Sequence, residues 1–260
     1  MSSSSPFRLD GQSALISGAG GGIGRSLVAK FRDAGANVIG TDRDPNLLDG
    51  LDLSRSLLFE LADGAATGRA IKAELEQHGV PNIVVANAGF TRAETMDGLD
   101  QATWDSEIAI NLNGAYAMTA PIIEAMAARG SGSLVFISSV NGLSHFGNPA
   151  YSAAKAGLIA FAKAIAVERG AKGVRANVVC PGSVRTSAWD HRIKAHPDLL
   201  ETVVAHYPLG RLVTPDEVAN AVLFLSSPAA SGITGAVLTV DAGLMAGNMR
   251  FVDDVVRQPD

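Results

Sequence analysis

Apolar residues fall in short unbroken runs, separated by longer stretches of helical period. The runs are Ser13–Ser17 (SALIS), Asn37–Thr41 (NVIGT), Ser56–Glu60 (SLLFE), Asn82–Ala86 (NIVVA), Ser133–Ser138 (SLVFIS), Arg175–Val179 (RANVV) and Ala236–Val240 (AVLTV). They do not alternate strictly with polar residues, so each predicts a strand covered on both faces, as in a parallel sheet. Helices are predicted between them over Gly22–Ala34, Ala65–His78, Gln101–Arg129, Tyr151–Arg169 and Thr214–Ser226. The last begins TPDE, with an N-cap Thr, Pro at the first helical position and acids in the first turn. Strand–helix alternation at this spacing predicts a doubly wound α/β fold. Its sheet has seven mostly parallel strands, with helices on both faces.

No repeat or linker divides the chain, so residues 1–260 are expected to form one domain. Residues 1–8 read as a flexible tail and 248–260 as a surface tail. The long irregular stretch 183–211, which carries Trp189, reads as a substrate-binding loop region. Apolar residues make up 47 % of the chain but aromatic ones only 5 %, so the core must be built from Ala, Val, Leu and Ile. The net charge of −5, with no run of Lys or Arg, argues against nucleic acid as a partner. A single cysteine, Cys180, excludes an internal disulfide and points to a reducing, cytoplasmic setting. The Ser-rich start lacks the basic and apolar regions of a signal peptide. No uninterrupted apolar stretch reaches about 18 residues, so no membrane span is expected.

The first strand runs into SGAGGGIGRSL, where Gly18, Gly22 and Gly24 have the spacing G-x-x-x-G-x-G around Ile23. Glycine permits a tight turn and lets backbone N–H groups approach a pyrophosphate, whose charge the following helix N-terminus favours. The loop follows a strand and opens a helix, as a Rossmann-type dinucleotide site requires. Asp42 closes the second strand, about 20 residues on, where a carboxylate accepts bonds from both ribose hydroxyls and repels a ribose phosphate. With no basic residue inside the glycine loop, this favours NAD over NADP. The neighbouring Arg43 partly offsets the repulsion.

Tyr151 and Lys155 form Y-x-x-x-K at the start of a helix, on one face. A phenol titrates near about 10, and lowering it by about 3 units takes roughly 4 kcal/mol of anion stabilisation. An adjacent ammonium, helped by a nicotinamide cation, is a plausible source. Upstream, a strand ends in Ser138-Ser139, in the crevice where open α/β sheets bind ligands, so a hydroxyl there could polarise a carbonyl. Successive strand residues point oppositely, so only one of the two serines can do so.

Together these motifs resemble the short-chain dehydrogenase/reductase family, in order from about Leu9 to Gly243. Ser17-Gly18-x3-Gly22-x-Gly24 resembles the family's T-G-x3-G-x-G. Asn87-Ala88-Gly89 resembles its N-N-A-G segment, with Ala86 in place of the first Asn. Asn111 falls at its helix-kinking asparagine, and Ser139, Tyr151 and Lys155 at its active-site Ser, Tyr and Lys. Pro181-Gly182-x-Val184-x-Thr186 resembles P-G-x-[VI]-x-T, and Val240-Asp241-Ala242-Gly243 its V-D-G-G.

The resemblance implies roles for these residues. Tyr151 would be the acid/base, Lys155 would bind the nicotinamide ribose and lower the Tyr151 pKa, and Ser139 would orient the substrate oxygen. Asn111 would hold a water linking Lys155 to solvent. Asn87, Ala88 and Gly89 would line the adenosine side, while Val184 and Thr186 would hold the carboxamide and set the hydride face. Where many members have an acid near the adenine, this chain offers Glu60 before Leu61.

The expected activity is hydride transfer between NAD and a secondary alcohol or ketone. The alternatives are a dinucleotide-binding regulatory protein without turnover, which would typically have lost Tyr or Lys, and an NADP-dependent 3-oxoacyl thioester reductase. Cys180 reads as a buried structural thiol, and no histidine has zinc-like spacing, so no metal is expected. His145 and Asn148 lie between Ser139 and Tyr151, a stretch that could border the substrate. The Ala-rich helices starting at Gln101 and Tyr151 have more small apolar residues than one core face needs. The family often pairs them between subunits, which implies a homodimer or homotetramer.

Overall fold

A computed structural model of the chain describes residues 5–92 and 95–257. Among the described residues, seven strands form one sheet in the order β3-β2-β1-β4-β5-β6-β7. They are β1 (Ser13–Ser17), β2 (Asn37–Asp42), β3 (Arg55–Leu58), β4 (Ile83–Ala86), β5 (Gly132–Ile137), β6 (Val174–Pro181) and β7 (Val237–Val240). Every pairing is parallel, with Leu15 opposite Ile39 on one side and Val84 on the other. The unbroken apolar runs follow from this: β4 is buried at every position, because helices cover both of its faces.

One face carries α1 (Gly22–Asp33) and α8 (Pro215–Ser226), packed with Ile16, Val38, Val85 and Val135. The other carries α2 (Gly64–His78), α4 (Gly114–Arg129) and α5 (Pro149–Arg169), packed with Leu15, Val84, Phe136 and Val178. α5 is long and apolar enough to cross a membrane by composition alone. Here it buries Ala154, Lys155, Leu158 and Ala162 in the fold. The TPDE start of α8 is a full capping box, in which Thr214 and Glu217 satisfy each other's backbone N–H groups.

The predicted helix over Gln101–Arg129 comprises α3 (Gln101–Ile108), a π-helical turn (Ala109–Asn113) and α4, so the axis is interrupted at Asn111. Such bulges mark functional positions more often than plain helix does. Two expectations are corrected. The stretch 183–211 is not irregular throughout but carries α6 (Ser187–Ala195) and α7 (Leu199–Val204). The N-terminal tail is docked from Ser5 onward, with residues 1–4 outside the described residues. Arg8 Nη1 donates to Asp33 O at 2.9 Å, Ala229 N–H donates to Pro6 O at 3.1 Å, and Phe7 packs on Phe224. Beyond Asn248, the surface tail forms helical turns over Met249–Phe251 and Val252–Val256.

The strand order places a switch point between β1 and β4. From β1 the chain winds outward through β2 and β3, then returns to β4 on the other side of β1. Connections diverge there and leave a crevice beyond the carboxyl ends of the strands. The Gly18–Gly24 turn, Asp42, Asn87–Gly89, Ser139 and Pro181–Gly182 all follow or end strands at that edge.

Candidate active site

The crevice is a cleft of ≈ 370 Å³. Its floor is the β1–α1 turn, where Gly18 has φ +62°, a conformation that favours glycine. A Cβ on Gly18 would also lie 2.9 Å from Ala88 Cα, and one on Gly24 only 2.0 Å from Gly18 O. Gly22 faces Thr186, whose Cγ2 would sit 2.6 Å from an added Cβ. The turn is therefore closed to side chains and presents backbone at the start of α1. A chain of this shape receives a pyrophosphate on N–H groups.

Of the residues singled out for nucleotide binding, Gly18, Gly22, Ile23, Gly24, Asp42, Asn87, Ala88, Gly89 and Thr186 line this cleft. Asn87 Nδ2 donates to the backbone oxygens of Ser17 and Gly18, at 2.8 and 3.1 Å, which ties β4 to the turn. Asp42 accepts from Gly20 N–H at 3.2 Å and from Arg43 N–H at 2.8 Å. Arg43 Nη1 lies 3.8 Å from Glu60 Oε2, so its charge is partly matched by an acid. Leu47 and Phe59, which sequence reasoning missed, complete this side. Gly182 instead borders a second cavity, and Pro181 ends β6. Val184 turns its side chain into the core, bridged to Val213. The bridge bonds use Ser183 and Arg185, leaving Val184's own N–H and C=O out of it.

Gly89 joins the cleft to Asn111 and Lys155. A Cβ there would meet Asn111 Oδ1 at 2.8 Å and Lys155 Nζ at 3.0 Å. Lys155 is buried, and its ammonium donates to Ile137 O at 2.9 Å and lies 5.4 Å from the centre of the Tyr151 ring. Asn111 is fully buried in the π turn. Its Oδ1 accepts from Phe90 N–H at 3.0 Å, and its Nδ2 donates to Phe90 O at 2.7 Å and to Glu107. Ser138 Oγ donates to Lys155 O at 2.8 Å, inside the fold. Ser139 Oγ accepts from Asn141 N–H at 3.1 Å, donates to Asn141 Oδ1 at 3.4 Å and borders the second cavity.

Burial governs the titration of this group. Among the protein's own groups, desolvation pushes the Tyr151 phenol up to about 12. The Ser139 hydroxyl opposes this, and Glu107 and Cys180 add to it. Burial also lowers the Lys155 ammonium to about 8, against Cys180 and Glu107. Desolvation is the largest influence on both groups. Burial likewise pushes the Cys180 thiol up, as suits a structural cysteine.

The second cavity, of ≈ 510 Å³, is walled by Ser139, Asn141 and Asn148 on one side and by Trp189, His206 and Tyr207 on the other. Tyr207 Oη accepts from Ser183 N–H at 2.9 Å, which pins the segment after α7 to the end of β6. Arg192 stacks on Trp189 at 4.6 Å in the same wall. Of the two residues between Ser139 and Tyr151, Asn148 is in the wall, whereas His145 is exposed and not part of it. Among the described residues, no group of three or more His, Cys, Asp or Glu could hold a metal ion.

A glycine-floored cleft at a switch point, opening onto a buried lysine beside a half-buried tyrosine, is the working part of a nicotinamide dinucleotide-dependent oxidoreductase. Comparison with known proteins narrows the class. A family model described as enoyl-(acyl carrier protein) reductase matches residues 18–245. An uncharacterized oxidoreductase of Schizosaccharomyces pombe is 41 % identical over 95 % of this chain and 96 % of its own. Galactitol 2-dehydrogenase of Cereibacter sphaeroides is 36 % identical over 91 % and 96 %, and a 3-oxoacyl-[acyl-carrier-protein] reductase of Thermotoga maritima 33 % over 92 % and 100 %. A solved short-chain oxidoreductase from Burkholderia thailandensis superposes with a TM-score of 0.86 at 41 % identity, covering 95 % of this chain and 98 % of that one. A gluconate 5-dehydrogenase from Burkholderia cenocepacia, solved with NADP and tartrate, does so with 0.86 at 28 %, covering 93 % and 98 %. The chain belongs to the short-chain dehydrogenase/reductase family.

Proposed function

We propose that this chain interconverts a small secondary alcohol and its ketone with NAD(H), Tyr151 moving the proton. The observation that carries the reading is the meeting of Gly89, which lines the cleft, with Asn111 and Lys155, and the Tyr151 ring 5.4 Å from the Lys155 ammonium. The nucleotide supplies or accepts the hydride. Gly18, Gly22, Ile23 and Gly24 hold its pyrophosphate, Asn87 and Ala88 border its adenosine, and Pro181, Gly182, Val184 and Thr186 close over the far end. Lys155 binds the adjoining ribose and Ser139 fixes the substrate oxygen. Asn111 anchors the water path that returns protons to Lys155.

With Tyr151 at about 12, the phenol form prevails at neutral pH. These groups therefore favour proton donation to a ketone. We expect reduction to be insensitive to pH between about 6 and 7.5 and to change once Lys155 loses its proton, near 8. Alcohol oxidation needs the phenolate and should rise with pH over the same range. Initial rates in both directions check this, and a fall in oxidation on going from neutral to mildly alkaline pH contradicts it.

Asp42 supports NAD as the cofactor. Its carboxylate borders the cleft at the end of β2, and Arg43, the cation beside it, faces Glu60. A second reading, an NADP-dependent reductase of 3-oxoacyl thioesters, draws on the Thermotoga relative and the NADP-bound neighbour. Asp42→Ala separates the two. The kcat/KM ratio of NAD to NADP is expected to fall by about 10-fold or more, since a like-charge clash with the 2′-phosphate costs on the order of 1.4 kcal/mol or more. A wild-type enzyme that prefers NADP, or a variant with unchanged preference, removes Asp42 from the account. The apolar groove between α4 and α5, with Tyr116 exposed beside Phe161, is the surface we assign to a homodimer or homotetramer.

A further inference from the structure

The helix that carries Asn111 brings a second group into the interior that the reaction above does not use. Glu107 precedes Asn111 by one turn of α3 and is only 5 % exposed. Its Oε2 accepts from Asn111 Nδ2 at 3.0 Å, and its Oε1 accepts from Arg92 N–H at 2.9 Å. The Glu107 backbone carbonyl takes a further bond from the same Asn111 amide, at 3.0 Å. One buried carboxylate thus clamps the amide of the π turn and the segment that follows Gly89. Isolated carboxylates are not kept in protein interiors, whereas hydrogen-bonded and charge-matched ones are.

Its surroundings connect it to the reacting pair. A cavity of ≈ 10 Å³ lies between Glu107 and Tyr151, walled also by Leu99, Pro149 and Ala150 and by Thr91, Thr103 and Asn148. It has room for about one water. Asn148 Oδ1 is buried without a hydrogen-bond partner, and Asn148 is held at φ 53° directly before Pro149. The groups that act on Tyr151 and Lys155 come from three elements: Glu107 from α3, Cys180 from β6 and the Ser139 hydroxyl beyond β5. Asp241, after β7, reaches only as far as Cys180. Cys180 is a neutral thiol at physiological pH, because burial raises it. Of these groups, Glu107 is therefore the one that brings a negative charge to both members of the pair.

We propose that Glu107 is a positioning residue of the reaction. Its buried carboxylate fixes the Asn111 amide and the 90–92 segment, and holds a negative charge one side chain away from the point where Asn111 and Lys155 meet at Gly89. The assignment rests on the acid–base reading of Tyr151 and Lys155. Its electrostatic consequence has a definite sign. A negative charge beside both groups favours their protonated forms, so removing it lets each lose its proton at lower pH.

The test compares the pH dependence of kcat for the wild type, E107Q and E107D. It adds a tyrosinate absorbance titration of each, corrected with Y151F. In E107Q both apparent pKa values of the pair should fall by about 1 unit. kcat for ketone reduction should drop about 10-fold, with KM nearly unchanged. E107D keeps the charge and should restore the wild-type pKa values, with a partial loss of kcat. E107A removes the charge without placing a second amide donor opposite Asn111, and carries the same test where E107Q does not fold. A charge-removing variant whose profile and titration superimpose on the wild type overturns the proposal. So does an equal shift in E107Q and E107D. Failure of the underlying reading looks different: Y151F would then turn over alcohol as fast as the wild type, whatever the Glu107 variants do.

Discussion

Tyr151→Phe is expected to lower kcat by about 10³-fold, within the range that one positioned acid–base group contributes. The change removes one oxygen and leaves the ring against Lys155, so packing is retained. Nucleotide affinity should stay within about 2-fold of the wild type, since a residue that matters only in the transition state lowers kcat and kcat/KM together. Ser139 would keep its bonds with Asn141. Steady-state kinetics with a panel of secondary alcohols, alongside a nucleotide titration, measure both quantities. Residual turnover near that of the wild type would give the proton to another group and leave the tyrosine a wall of the pocket.

Gly24→Ala should have the other large effect, this time on binding and stability. The added Cβ would stand 2.0 Å from Gly18 O and 2.8 Å from Ala19 Cα, both backbone atoms that no rotamer change can move aside. Either the β1–α1 turn opens or α1 shifts on the sheet, and α1 packs Leu27, Val28 and Phe31 into the core. Overpacking of this kind costs about 1–3 kcal/mol. Folding stability should fall by about that amount. Nucleotide affinity should fall by about 10-fold to 100-fold, because the same displacement moves the N–H groups that receive the pyrophosphate. Denaturant unfolding and a nucleotide fluorescence titration check the two parts. A variant that binds nucleotide as the wild type does would show that this turn is not the binding floor.

The sheet was legible in the sequence because its strands are covered on both faces and therefore read as continuous apolar runs. Register at the ends was less so: β3 is Arg55–Leu58 rather than Ser56–Glu60, since edge positions alternate in burial and carry less signal. The α6 helix went unread because it is largely polar and exposed, and α7, LLETVV, because six residues are too few to show a helical period. The cofactor turn and the Tyr–Lys spacing are local motifs and could be read directly. Glu107 could have been noticed as an acid one turn before Asn111, but its burial depends on α3 packing against α5, which no local pattern reveals. The upward push of burial on Tyr151 was hidden for the same reason. A one-dimensional spacing shows the ammonium but not the desolvation that both groups share.

The central claim is direct hydride transfer in this cleft with Tyr151 as the proton carrier. The most direct measurement follows a secondary alcohol deuterated at its carbinol carbon, incubated with NAD and enzyme, with the reduced nucleotide examined for label. The account predicts deuterium on one face of the nicotinamide ring, none of it exchanged with solvent, and formation slowed about 10³-fold in Tyr151→Phe. Label lost to water, or the same labelled product at the same rate without the Tyr151 hydroxyl, would contradict it.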